Sequence, residues 1–237
     1  MKKLKDIIEN DNCIHASIHL NNNSIKEAYT VNDFLGDRKK EREESQPLHE
    51  ELSKHYDLDK YFHEKHHLKE YSDDSSGVNN YLWKKHKKEK MDDEEKSFKE
   101  DVPHLDKALS TFRTHKDFTV HSGVIYNPID KKNKEGVVHH PAYLSTSLER
   151  GRASAFSDLK KGNVRHVISI KIPKGSKGAY IGDHSYNQDE REFLIPRGAN
   201  LKHIKTEVRE ENHPIYGKGD EKLEVHYHHM KWLNNEK

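Results

Sequence analysis

Apolar positions in this chain are sparse at the front and crowded at the back. Through residues 24–36, Ile25, Ala28, Tyr29, Val31, Phe34 and Leu35 recur at roughly helical spacing and Gly36 closes the run, which predicts a short helix. Residues 37–50 are dense in charge and read as a solvated linker. Leu58, Tyr61, Phe62, Leu68 and Tyr71 draw a helical stripe across 56–71, and SDDSSG at 72–77 marks a turn or helix start. Val78, Tyr81 and Leu82 then form one apolar face with a lysine-rich back. Pro103 stands ahead of Leu105, Ala108, Leu109 and Phe112, where a helix's first turn accepts it.

From Asp117 onward the period shortens to two. DFTVHSGVIY (117–126) is rich in strand formers. VRHVISIKIP (164–173) sets Val164, His166, Ile168, Ile170 and Ile172 on one face. Further strands are predicted over 190–196, 199–210 and 222–233, with a short helix within 147–159. Helices first and strands second predict an α+β fold rather than a βαβ relay. One strand start is odd: in NQDEREFLIPRG (187–198), alternation points Glu190 and Glu192 the same way and turns Arg191 away. Like charges side by side on a sheet stabilise nothing locally, so folding alone does not account for them.

Composition narrows the picture. Hydrophobic residues are 31% and charged residues 35% of the 237, and the mean hydropathy is −1.15, so the core must be concentrated in a few segments. With 42 basic and 41 acidic residues, net charge gives no case for nucleic acid or an anionic membrane as partner. Cys13 is the sole cysteine, which leaves no intrachain disulfide and fits a reducing compartment. No apolar run is long enough for a signal peptide or a membrane span, so a cytoplasmic location is expected. Histidine is plentiful, at 20 residues. HEKHH at 63–67 satisfies H-E-x-x-H, with His63 and His67 as ligands and Glu64 as base. The charged residue Lys65 between them makes a solvated helix face the better reading. His226, His228 and His229 are read as the polar side of a strand, and no metal is expected.

Three stretches together carry a resemblance: FTVHSGV (118–124), AYLSTSLERGRASAF (142–156) and GAYIGDHSYNQDEREFLIPRG (178–198). In order, spacing and flanks they resemble the arginine–serine–glutamate branch of the mono-ADP-ribosyltransferase superfamily. That branch includes bacterial exotoxins and the transferases of T-even-like bacteriophages, and residues 71–205 look closest to the phage members. The resemblance implies two small, mostly antiparallel sheets enclosing an NAD cleft. It divides the chain into a polar, mainly helical extension over 1–70 and a catalytic domain over 71–237.

It also implies roles. Glu192 would be the catalytic carboxylate on the NAD ribose. Glu190 would engage the acceptor, and a glutamate there implies an arginine guanidinium as that acceptor. Ser145 would hydrogen-bond Glu192. Ser122, Gly123, Thr146, Ser147 and Phe156 would line the NAD site, while Tyr186 and Gln188, in the loop before the carboxylates, would read the acceptor. NAD is the implied substrate, with no metal, and the implied partners are host proteins with exposed arginines, among them the transcription or translation machinery.

The first motif departs from the pattern. Relatives carry an arginine where this chain has Ser122. Arg113 precedes the strand and lies too far from its pocket end. Arg150 and Arg152 are nearer, but they are read first as surface charges on a helix. His121 should face away from position 122. Two alternatives therefore stay open beside transfer to arginine: an NAD- or partner-binding protein with weak or lost transfer, and an NAD glycohydrolase.

Overall fold

The charge-dense stretch read as a linker is helical. In the computed structural model, which describes residues 31–157, 164–212 and 222–233, helix α1 spans Val31–His55, with Pro47 inside it. Cys13 and the 24–30 part of the expected short helix lie outside the described residues. A proline in a helix interior costs about 3 kcal/mol, so α1 depends on its contacts. Leu52 and Tyr56 are buried at its C-terminal end, and its polar face reaches across to the ends of the strands.

A 3-10 turn at Leu58–Lys60 leads into α2 (Phe62–Asp73), and α3 (Ser76–Lys87), α4 (Asp93–Ser97) and α5 (Asp101–Thr111) follow. Helix α4 opens on a capping box: Glu95 N donates to Asp92 at 2.8 Å and Asp92 N donates back to Glu95 at 3.2 Å. The apolar stripes of these helices bury Leu68, Tyr71, Val78, Tyr81, Leu82, Leu105 and Leu109 in one cluster with Leu52, Tyr56 and Leu58. The core is continuous across residue 70. Burying a large apolar side chain is worth about 1.5–3 kcal/mol, so a chain this polar folds by concentrating such residues in one place.

The strands are β1 (Phe118–Val124), β2 (Val137–His140), β3 (Leu144–Ser147), β4 (Val164–Ile172), β5 (Ala179–Tyr180), β6 (Glu192–Ile195), β7 (Ala199–Asn212) and β8 (Lys222–Leu233). Helix α6 (Arg150–Ala155) follows β3. The expected pair of separate sheets is one hydrogen-bonded sheet of eight strands, ordered β2-β7-β8-β4-β1-β3-β6-β5. The reason lies between β1 and β3, which join through a single residue pair, His121 opposite Ser147. By contrast, β1 and β4 share seven pairs, from Phe118↔Ile172 to Val124↔His166. Two halves of five and three strands thus meet at one point. Pairing is antiparallel except between β4 and β8.

Alternation along β1 sends Phe118, Val120 and Val124 to the large core with Ile168, Ile170, Ile172, Met230 and Trp232. The other face carries a smaller cluster of Ala153, Val167, Val225 and Tyr227, where α6 packs down. No helix among the described residues is long and apolar enough to cross a membrane.

Candidate active site

The two carboxylates do not share a strand. Gln188–Glu190 is a 3-10 turn, Arg191 follows in the left-handed region at φ +46°, and only Glu192 belongs to β6. The left-handed residue breaks the alternation assumed from sequence, so Glu190 sits half-buried on the turn while Glu192 is buried at the strand's first position. Arg191 is not turned to solvent. Its side chain is 2% exposed and its guanidinium lies 3.3 Å from the buried Glu149. It also donates to Arg42 O at 2.7 Å and to Ser45 Oγ and Gln46 Oε1.

Register gathers the rest. His121 lies opposite Ser147 and Ser147 opposite Glu192, so three neighbouring strands contribute one row. Ser147 Oγ donates to Glu190 O at 2.6 Å and accepts from Glu149 N at 3.0 Å, which ties the carboxylate turn to the start of α6. Ser185 Oγ donates to Glu192 at 3.4 Å. Ser145, expected on Glu192, is one pleat further along opposite Leu194, and its hydroxyl donates to Tyr71 OH at 3.5 Å. Tyr71 is a residue that sequence reasoning missed: it was read as part of a helix stripe. Its buried hydroxyl accepts from Asn79 at 2.8 Å, and burial pushes its pKa well above the usual tyrosine range.

Two residues expected to line the NAD site make structural contacts here. Ser122 is buried and donates to Ser145 O at 3.0 Å, bridging the β1–β3 seam. Gly123 admits α6: a Cβ there would stand 2.0 Å from Ala153 O and 2.8 Å from Ser157 N, both backbone atoms that cannot swing away. Thr146 is buried and donates to Phe193 O at 2.5 Å. Phe156 is 42% exposed. Tyr186 is exposed and Gln188 donates to Asp183 O at 2.9 Å within its own loop.

The arginines also change places. Arg152, read as surface charge, is buried, and its Nε has no hydrogen-bond partner among the described residues. Burial is the main reason its pKa is held below the usual guanidinium range, with Arg38 adding to it and Glu190 and Asp189 opposing. Arg150 lies over the Tyr227 ring at 5.1 Å. Helix α1 runs beside all of this. Glu41 accepts from Gly151 N at 2.7 Å, Arg42 pairs with Asp189 at 3.0 Å, His49 Nδ1 is 2.7 Å from Tyr180 OH, and Ser53 donates to Asp183 at 2.7 Å.

His121 rests 2.9 Å from Ser169 Oγ, and burial, with Arg150 and His229 beside it, lowers its pKa to about 4. His140, which lies 2.8 Å from Ala142 O, is lowered to about 4 mainly by burial. Both are neutral in the fold and charged near pH 6 when unfolded, so the unfolded state binds the extra protons. Their contribution is complete above about pH 6.5 and is lost as pH falls toward 4. Two protons correspond to a slope of at most about 2.7 kcal/mol per pH unit. Urea unfolding between pH 7 and 5 should show stability falling with pH. The double variant His121→Gln/His140→Gln should flatten that arm; an unchanged slope would contradict the assignment.

A family model described as ADP-ribosyltransferase exoenzyme matches residues 47–231. A curated relative, the NAD(+)–arginine ADP-ribosyltransferase EFV of Enterococcus faecalis, is 32% identical over 138 residues; the match takes in 57% of this chain and 27% of that relative, about a quarter of its length. Among solved structures, the ADP-ribosyltransferase toxin Plx2a of Paenibacillus larvae is similar at TM-score 0.56 and 21% identity, covering 83% of this chain and 96% of its own. C3stau2 of S. aureus, solved with NAD, is similar at TM-score 0.57 and 17% identity, covering 80% and 94%. At those identities the likeness establishes the fold, an α+β arrangement of N-terminal helices and one sheet.

Proposed function

The chain belongs to the ADP-ribosyltransferase exoenzyme family, and on that premise we propose that it transfers ADP-ribose from NAD to arginine side chains of proteins, releasing nicotinamide. The observation that carries this reading is Glu192, a carboxylate only 3% exposed, in one row with Ser147 and His121 and two residues beyond Glu190. The bond between nicotinamide and the ribose breaks with its electron pair leaving on nicotinamide. Cationic charge then grows on the ribose carbon, and a fixed carboxylate in a water-poor site stabilises it far better than one in water. Glu192 accepts the ribose 2′-hydroxyl and faces that charge. Glu190 takes the proton from the attacking guanidinium nitrogen as the new bond to carbon forms. A carboxylate suits that planar donor fork, and the arginine acceptor named for the Enterococcus faecalis relative supports the same choice.

The cation that Ser122 cannot supply is Arg152 in this reading. It is buried beside Glu190 and its Nε–H has no partner among the described residues, a fit for an NAD phosphate oxygen. Phe156 flanks the nicotinamide, and Tyr186 and Gln188 on the exposed loop meet the acceptor. The acceptors in this reading are host proteins with exposed arginines, met in a host cytoplasm, with the transcription or translation machinery first in line.

Radiolabelled NAD, a small guanidine acceptor and a bacterial lysate test the reading. Wild type should label both acceptor and protein. Glu190→Gln should lose label by about 10²-fold while still releasing nicotinamide. Nicotinamide without label from wild type would mark a glycohydrolase instead; neither product would defeat the reading.

A further inference from the structure

His226 and His228 look, in the sequence, like the polar side of a strand. Strand pairing adds a third imidazole. Strands β4 and β8 run parallel with His166 beside His226, and His228 is one pleat further along the same face. That face also carries Ile168 and Ser122, so it is opposite the one holding His121, Ser147 and Glu192. The site is therefore separate from the proposed reaction centre.

We propose that His166, His226 and His228 bind a divalent transition-metal ion of the zinc class. One nitrogen from each lies within 4.8 Å of the others, and His166 Nδ1 is 3.0 Å from His228 Nε2. Three imidazole nitrogens about 2.0–2.1 Å from a tetrahedral zinc stand about 3.4 Å apart, a value those spacings bracket. Imidazole suits zinc, copper and nickel, and the fourth position falls to water.

The surroundings are those of a built site. Histidine ligands characteristically hand their second nitrogen to an oxygen, which fixes ring orientation and tautomer. Here His228 Nδ1 is 3.0 Å from Thr206 Oγ1, which leaves Nε2 turned to His166. His226 Nε2 is hydrogen-bonded to the Glu224 carboxylate. Thr206 is held in turn by His203 Nε2 at 2.9 Å. His228 is wholly buried and the other two are half-buried, so the rings are placed by packing. Asp130, near His166, and Glu224 add negative charge that favours a cation. The ion would staple β4 to β8 beside the irregularity in β7 between His203 and Lys205, where the ladder is otherwise weakened.

Calorimetric titration of Zn(II) into the full chain, after dialysis against chelator, tests this. Wild type should bind about one equivalent that is lost or weakened at least tenfold in His166→Ala and in His226→Ala. The control His63→Ala/His67→Ala, which removes the H-E-x-x-H pair on α2, should bind as wild type does. Co(II) added to wild type should give visible ligand-field bands of a nitrogen-ligated site, a readout that needs no variant. Absence of those bands, or equal zinc binding by wild type and both single variants, would overturn the proposal.

Discussion

Glu192→Gln should lower nicotinamide release and label transfer together, by about 10²–10³-fold. The substitution keeps shape and burial and removes only charge. Ground-state NAD does not carry the cationic ribose carbon that this charge stabilises, so the loss falls on kcat, and KM for NAD should stay within a few-fold. Removing a single preorganised electrostatic group costs about 2.7–4 kcal/mol of transition-state stabilisation elsewhere, which is the same range in rate. Here the carboxylate is 3% exposed, so water cannot take its place. The contrast with Glu190→Gln is the point of the experiment: that variant separates transfer from cleavage, whereas Glu192→Gln lowers both together. A loss below tenfold, with binding intact, would remove Glu192 from the reaction.

Arg191→Ala should destabilise the fold by about 3–5 kcal/mol, the cost of leaving one member of a buried ion pair without the other. The residue stranded is Glu149, 3% exposed, at the start of α6. Its acceptor oxygens would keep only Ser45 Oγ, at 3.4 Å, among the described side-chain donors. The same substitution frees Arg42 O and Gln46 from their contact, so α1 should loosen from the carboxylate turn. Left-handed strain at position 191 offsets a little of this only if glycine is chosen, so Arg191→Gly should be somewhat less harmful than Arg191→Ala. Urea unfolding measures both. A change below about 1 kcal/mol for Arg191→Ala would mean that the pair is replaced by water.

Strands β4, β7 and β8 were legible because alternation is strong there and the bounding Pro173 and Asn212 are ordinary stops. Helix α1 was not. Its residues 37–50 are charged because their partners are charged or polar, and Arg42, Ser45 and Gln46 find those partners about 100 residues or more away in sequence. Local pattern carries no trace of such pairing. The motif resemblance singled out Glu190 and Glu192 as candidates, but alternation set both on one strand face, and a left-handed Arg191 has no signature short of the structure. Position 121 rather than 122 shares the Glu192 row, since face follows from register and register from pairing. Arg152 looked like surface charge for the same reason that α1 looked like a linker: each covers the other's side of the fold.

The seam between β1 and β3 has a mechanical meaning. Four pairs hold β3 to β6 and seven hold β1 to β4, while one pair and the Ser122 hydroxyl hold the halves together. Within the hydrogen-bonded ladder, the junction between the halves is therefore the narrowest link, bridged otherwise by the shared apolar core. His121 and Ser147 form that link, and a change in the angle between the halves would disturb one ladder pair rather than several, at the point where Glu192 stands.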